Sequence, residues 1–135
     1  TTNGGGSWSA AGSGLPDLED AKLHELAVNP KSPTQLFAAT EKGLFRSTDS
    51  GASWARVTTG LEDDDVAAVA IDPATGTAYA GSFHGVFRST DGGESWTPLR
   101  DGLVHQDVRA LVVSGAPARL WAGTAGGSLY SIELP

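Results

Sequence analysis

Apolar residues in this chain come in short runs, each closed by Gly, Pro, Asn or Asp, and no run has the length or 3.6-residue period of an ordinary helix. The runs predict strands at 23–28, 34–40, 44–48 and 54–58, then at 66–71, 77–82, 86–90 and 96–99, and finally at 108–113, 119–124 and 128–133. Residues 9–11 are expected to begin a further outer strand, followed by the loop Gly12-Ser13-Gly14-Leu15-Pro16. The segment from Asp17 to Lys22 has a cap-like start, but its counterparts downstream are too short for a helix, so a loop is expected. Three stretches, Leu26-Ala27-Val28, Val69-Ala70-Ile71 and Leu111-Val112-Val113, are continuously apolar rather than alternating, which predicts inner strands covered on both faces.

The strands recur as two groups of four and one of three, and Asn3, Asp49 and Asp91 fall at equivalent places 46 and 42 residues apart, the mark of stacked supersecondary units rather than of one undivided core. Each group is punctuated by the same skeleton, Ser/Thr-x-Asp/Asn-x-Gly-x-Ser-Trp. Its copies place Thr1, Asn3, Gly5, Ser7 and Trp8 in the slots of Ser47, Asp49, Gly51, Ser53 and Trp54, and of Ser89, Asp91, Gly93, Ser95 and Trp96. Each part has a folding role. The Asp or Asn and the hydroxyl accept backbone N–H groups within the turn, glycine supplies positive φ, and Trp resumes a strand with a large ring to bury. Gly14-Leu15, Gly60-Leu61 and Gly102-Leu103 repeat in step with the motif, and Trp121 aligns with Phe37 and Tyr79, which predicts a packing role for it.

This skeleton resembles the Asp-box, or BNR, repeat of sialidases, xyloglucan-cleaving glycosidases, sortilin-type receptors and bacterial assembly factors. Two copies match at every defining position, and the first replaces the acidic residue by Asn3 and the serine by Thr1. The resemblance implies an all-β fold, a β-propeller of four-stranded antiparallel blades, with the motif as the hairpin turn before each outermost strand. The chain would then divide into an outer strand (1–11), a blade (12–59), a second blade (60–101) and three strands of a last blade (102–135).

Composition narrows the function. The 135 residues suffice for one domain, and 18 glycines suit many tight turns. With 9 basic and 16 acidic residues the net charge is −7, so nucleic acid and anionic membrane are not expected partners. There is no apolar run of transmembrane length. The absence of Cys removes disulfides, thiolate nucleophiles and Cys-based metal sites, and leaves the compartment open. No Met opens the sequence, which points to a processed or excised product.

Candidate chemistry gathers in the loops opposite the motif turns. A binding rim is expected from Asp20, Glu62, Asp63, Asp64, Asp65, His84, His105 and Asp107, with Asp17, Glu19, Glu41, Lys42 and Gln106 beside them. Converging carboxylates could take a divalent cation or a sugar, or face water as a solvated acidic rim. The run 62–65 lacks the ligand spacing of an EF-hand, and His24, His84 and His105 are not spaced as a metal pair, so no cofactor is expected. Glycoside hydrolysis, which the resemblance raises, needs two placed carboxyl groups or a Tyr nucleophile with an arginine cluster. Arg46 and Arg88 occupy equivalent repeat positions and Tyr79 and Tyr130 lie in strands, so no catalytic residue is assigned.

Strand counting suggests the partner. Propellers close with about four to eight blades, so three blades leave two broad faces open, and two chains supply six. A homodimer is expected, in which each chain lends its first strand to the other's last blade. The ring would be a structural, self-assembling scaffold that presents a face to a glycan or protein; the alternative is a carbohydrate-binding or glycoside-hydrolase-like module.

Overall fold

The structure, a computed structural model, describes residues 1, 3–15, 22–61, 65–99 and 102–135. Eleven strands form three antiparallel sheets. The first sheet holds β1 (Leu23–Val28), β2 (Leu36–Thr40), β3 (Gly43–Ser47) and β4 (Ala55–Arg56), in that order. The second repeats the order with β5 (Val66–Ile71), β6 (Ala78–Ser82), β7 (Gly85–Ser89) and β8 (Thr97–Leu99). The third has β9 (Val108–Ser114), β10 (Arg119–Thr124) and β11 (Leu129–Glu133). None of the described residues is helical, so no helix is long and apolar enough to cross a membrane.

Local chemistry explains the hairpins. Between β2 and β3 only two residues turn the chain, Thr40 Oγ1 donates to the Gly43 carbonyl, and Gly43 sits at φ 106°, where a side chain would be strained. Each inner strand opens with a register shift, at Leu23/Glu25 in β1, at Val66/Ala68 in β5 and beside Gly123/Thr124 in β9. These bulges place His24, Ala67 and Arg109 at equivalent positions, turned out of the regular pleat.

The sheets stack face to face. Ala27, Phe37, Ala39 and Leu44 of the first sheet pack against Val69, Ala78, Ala80, Phe87 and Trp96 of the second. The other face of the second sheet, with Ala68, Tyr79 and Val86, packs against Val108, Leu111, Leu120 and Ala122 of the third. Polar groups tie the layers: Glu25 accepts the Val69 N–H at 2.8 Å, and the Gln35 amide donates to the Gly92 carbonyl at 2.7 Å.

One expectation changes. Inner strands covered on both faces are found only in the middle sheet; Leu26 and Val28 of β1 and Val112 of β9 are exposed, because no layer lies beyond them. Residues 9–11 pair with no strand edge among the described residues of the single chain. Instead Ala11 accepts the Trp54 indole N–H at 3.1 Å and Ser13 accepts the Trp54 backbone N–H at 2.9 Å.

Candidate functional site

The two ends of the stack do different work. At one end lie the motif turns and the β1–β2 connections. Ser47 Oγ donates to Asp49 Oδ1 at 2.8 Å and accepts the Gly51 N–H at 2.9 Å, while Asp49 takes the backbone N–H and the hydroxyl of Ser53. Ser89, Asp91, Gly93 and Ser95 repeat these bonds one sheet later. The bonds from Ser53 and Ser47 hold the Asp49 carboxyl down to about 2, and those from Ser95 and Ser89 hold Asp91 well below the usual carboxylate range. Thr1, Asn3, Gly5 and Ser7 close the same turn without a charge. All three acidic or amide positions are spent on their own turn.

The motif tryptophans fare differently. Trp96 is buried, donating its indole N–H to the Gly93 carbonyl at 3.3 Å, and Trp54 is buried beside Leu15, Leu36, Ala38 and Phe45. Trp8 is 80% exposed.

At the opposite end, the bulges and loops build the rim. Asp65, just before β5, lies 3.3 Å from His24 Nε2 and 3.6 Å from Arg109 Nη1. Asp107 grips the same guanidinium, at 2.6 Å from Nε and 3.1 Å from Nη2. Asp65 and Asp107 therefore meet at one guanidinium, that of Arg109. Asp107 raises the Arg109 pKa further, through hydrogen bond and charge. In the first sheet Lys22 holds the slot of Asp65 and Asp107, just before β1, and it pairs with Glu41 at 3.0 Å. Asp20, Glu62, Asp63 and Asp64 lie outside the described residues. Among the described residues no group of three or more His, Cys, Asp or Glu is placed to hold a metal ion.

Beside this network is an open depression of about 630 Å³, lined by Phe83, His84, Val104, His105, Asp107 and Gly126 among others. Phe83 and Val104 are exposed at 59% and 78%. The Phe83 and His84 rings meet edge to face at 5.5 Å, and His105 Nδ1 shares a 2.8 Å hydrogen bond with the Tyr130 hydroxyl. His24 thus stands apart beside Asp65, while His84 and His105 line the same depression, each against a different aromatic ring. Arg109, Phe83 and Val104 were not singled out by sequence reasoning. Arg109 was detectable as the lone basic residue after two aligned aspartates, whereas exposed Phe83 and Val104 resemble ordinary strand and core residues until the turns are placed.

Trp121 holds the register position of Phe37 and Tyr79, opposite Ser131 where those face Arg46 and Arg88. Phe37 and Tyr79 are covered by the next sheet; Trp121 has no next sheet and is 36% exposed. Arg46 reaches the following layer too, at 3.4 Å from Glu94, which marks it as a structural tie.

No protein-family model matches the chain, and no curated protein matches it. By structure it is similar to an ancestral GH74 enzyme (TM-score 0.65, 21% identity over 81% of this chain and 17% of that one). It is also similar to the GH74 xyloglucanase from Xanthomonas campestris (TM-score 0.62, 26% identity over 80% and 20%). A third is YCF48 bound to D1 peptide (TM-score 0.60, 20% identity over 83% and 38%). The chain spans about a fifth of those GH74 proteins and less than two fifths of YCF48. Three antiparallel sheets, stacked face to face and matched to these folds, make this an all-β chain of β-propeller blades.

Proposed function

We propose that the chain is half of an Asp-box propeller, closed by a second copy of itself, and that the ring presents the Phe83–Val104 rim to a ligand without catalysing a reaction. The observation that carries this is the pair of unpartnered faces at the two ends of the stack. One exposes Leu26 and Val28, the other Val112, Trp121 and Leu129. These are the positions that make the sheet-to-sheet contacts already formed twice inside the chain, so the last face of one copy suits the first face of another. Two copies supply six blades, within the range of about four to eight at which propellers close.

Light scattering at micromolar concentration should report twice the 13.8 kDa chain mass. A monodisperse monomer overturns the closure, and a trimer overturns the count.

For the ligand, an open depression with an exposed aromatic ring and charged neighbours suits a peptide segment, and the peptide-bound YCF48 structure supports that reading. The GH74 similarity favours a second reading, in which Phe83 stacks on a sugar of a xyloglucan chain. Titration with xyloglucan oligosaccharides separates the two: binding without turnover supports a lectin-like module, and turnover overturns the non-catalytic assignment.

A further inference from the structure

Trp96 sits in a socket whose walls come from two sheets. Leu44 and Val57 belong to the first, and Leu61, Ala78, Ala80 and Phe87 to the connection and sheet that follow. One repeat later Val86, Leu99, Leu103, Leu120, Ala122 and Tyr130 hold the same places, by spacing and by the pairing of Ala80 with Phe87 and of Ala122 with Tyr130. Around them is a cavity of about 120 Å³ rather than a ring. Among the described residues no tryptophan enters it.

The glycine that closes each socket tells the same story. Gly14 and Gly60, at φ 88° and 77°, lie so close beneath the Trp54 and Trp96 carbonyls that a Cβ would stand 2.2 and 2.0 Å from the oxygen. Gly102 keeps this conformation, φ 76°, with nothing within 4 Å of its Cβ position. The second and third sheets together therefore supply the walls, and Gly102 the lid, of a tryptophan socket.

The chain also carries a tryptophan without a socket. Trp8 follows a fully hydrogen-bonded motif turn, as Trp54 and Trp96 do, yet it is 80% exposed. The geometry points to Trp8 of a second copy as the occupant of the cavity between the second and third sheets. Ser9 and Ala10 then run along β11, opposite Ser131 and Tyr130, as Thr97 and Pro98 run opposite Arg88 and Phe87. This rests on the two-copy reading above and adds which segment crosses and in what register. Seating Trp8 buries an aromatic ring and gives the β11 edge a hydrogen-bonded partner.

The chain has no cysteine, so the register can be tested by disulfide trapping. Ser9→Cys in one preparation and Ser131→Cys in another, the second isotope-labelled, are mixed and mildly oxidised. The expected product is a mixed disulfide dimer in high yield by intact mass, with little product when Ser114→Cys replaces Ser131→Cys. Trp8→Ala should weaken self-association by at least about a hundredfold, with the β-sheet circular dichroism retained. A dimer that gives no mixed disulfide and tolerates Trp8→Ala overturns strand exchange while leaving the two-copy ring standing. A monomer overturns both.

Discussion

Phe37 and Trp96 meet edge to face across the boundary between the first two sheets, their ring centroids 5.8 Å apart and their planes at 88°. The contact joins residues from different repeats, and Gly93 allows it, since a Cβ there would come within 2.4 Å of the Phe37 ring. Trp96→Ala should therefore cost about 3–5 kcal/mol, the usual range for removing a buried large aromatic. Urea denaturation checks this, and a loss below about 1 kcal/mol would mean that the ring does not join the layers.

Gly60→Ala should be severe for its size. Its φ of 77° already disfavours a side chain, and the new methyl would collide with the Trp96 carbonyl, which cannot swing away without breaking the Trp96 N–H bond to the Thr59 carbonyl at 3.0 Å. A loss above about 2 kcal/mol is expected by denaturation. Gly126→Ala, at an ordinary φ with its nearest neighbours in the His105 ring at 3.5 Å or more, should stay within about 1 kcal/mol.

Acid should open the motif turns late. The Asp49 carboxyl is depressed in the folded chain to about 2 from an ordinary 3.8, and that of Asp91 is depressed as well. A carboxyl with a lowered folded pKa stabilises fully above its unfolded value and loses that contribution as pH falls through its folded value. These turns should thus hold at pH 5 and weaken between about pH 4 and 2. Asp91→Asn should flatten that acid limb in a fluorescence-monitored titration, because Asn3 shows that an amide closes the same turn. An unchanged acid limb in the Asp49→Asn, Asp91→Asn double variant would place the acid sensitivity elsewhere.

Arg109→Ala should change the rim more than the fold. The guanidinium is about half exposed, so its pairs with Asp65 and Asp107 contribute about 1 kcal/mol or less and fade with salt. In the parent protein the Arg109 guanidinium already pairs with both Asp65 and Asp107, so millimolar calcium should leave Tm unchanged. The variant leaves two facing carboxylates, and calorimetry with calcium should then register heat. Calcium binding to the parent would show that the arginine is readily displaced.

Phe83→Ala should leave Tm within about 2 °C, since the ring is mostly in water. Under the proposed binding role it should also lower affinity for a peptide or glycan at the rim. A large drop in Tm would place Phe83 in the core instead.

The sequence by itself determined the local units. Strand identity followed from short apolar runs, and the motif turns followed from Ser, Asp and Gly because their hydrogen bonds are made within about four residues. Stacking was legible from the repeat, since each blade has the same apolar face and needs a neighbour. Only the tertiary structure decided which equivalent residues end up covered. Phe37, Tyr79 and Trp121 share one register, yet the layer beyond each differs, so the first two are buried and the last is not. Trp8, Trp54 and Trp96 share one motif, and only two meet a socket. The rim was half visible: aligned Asp65 and Asp107 could be read from spacing, but the bulge that turns Arg109 between them depends on long-range strand register, which no local pattern encodes.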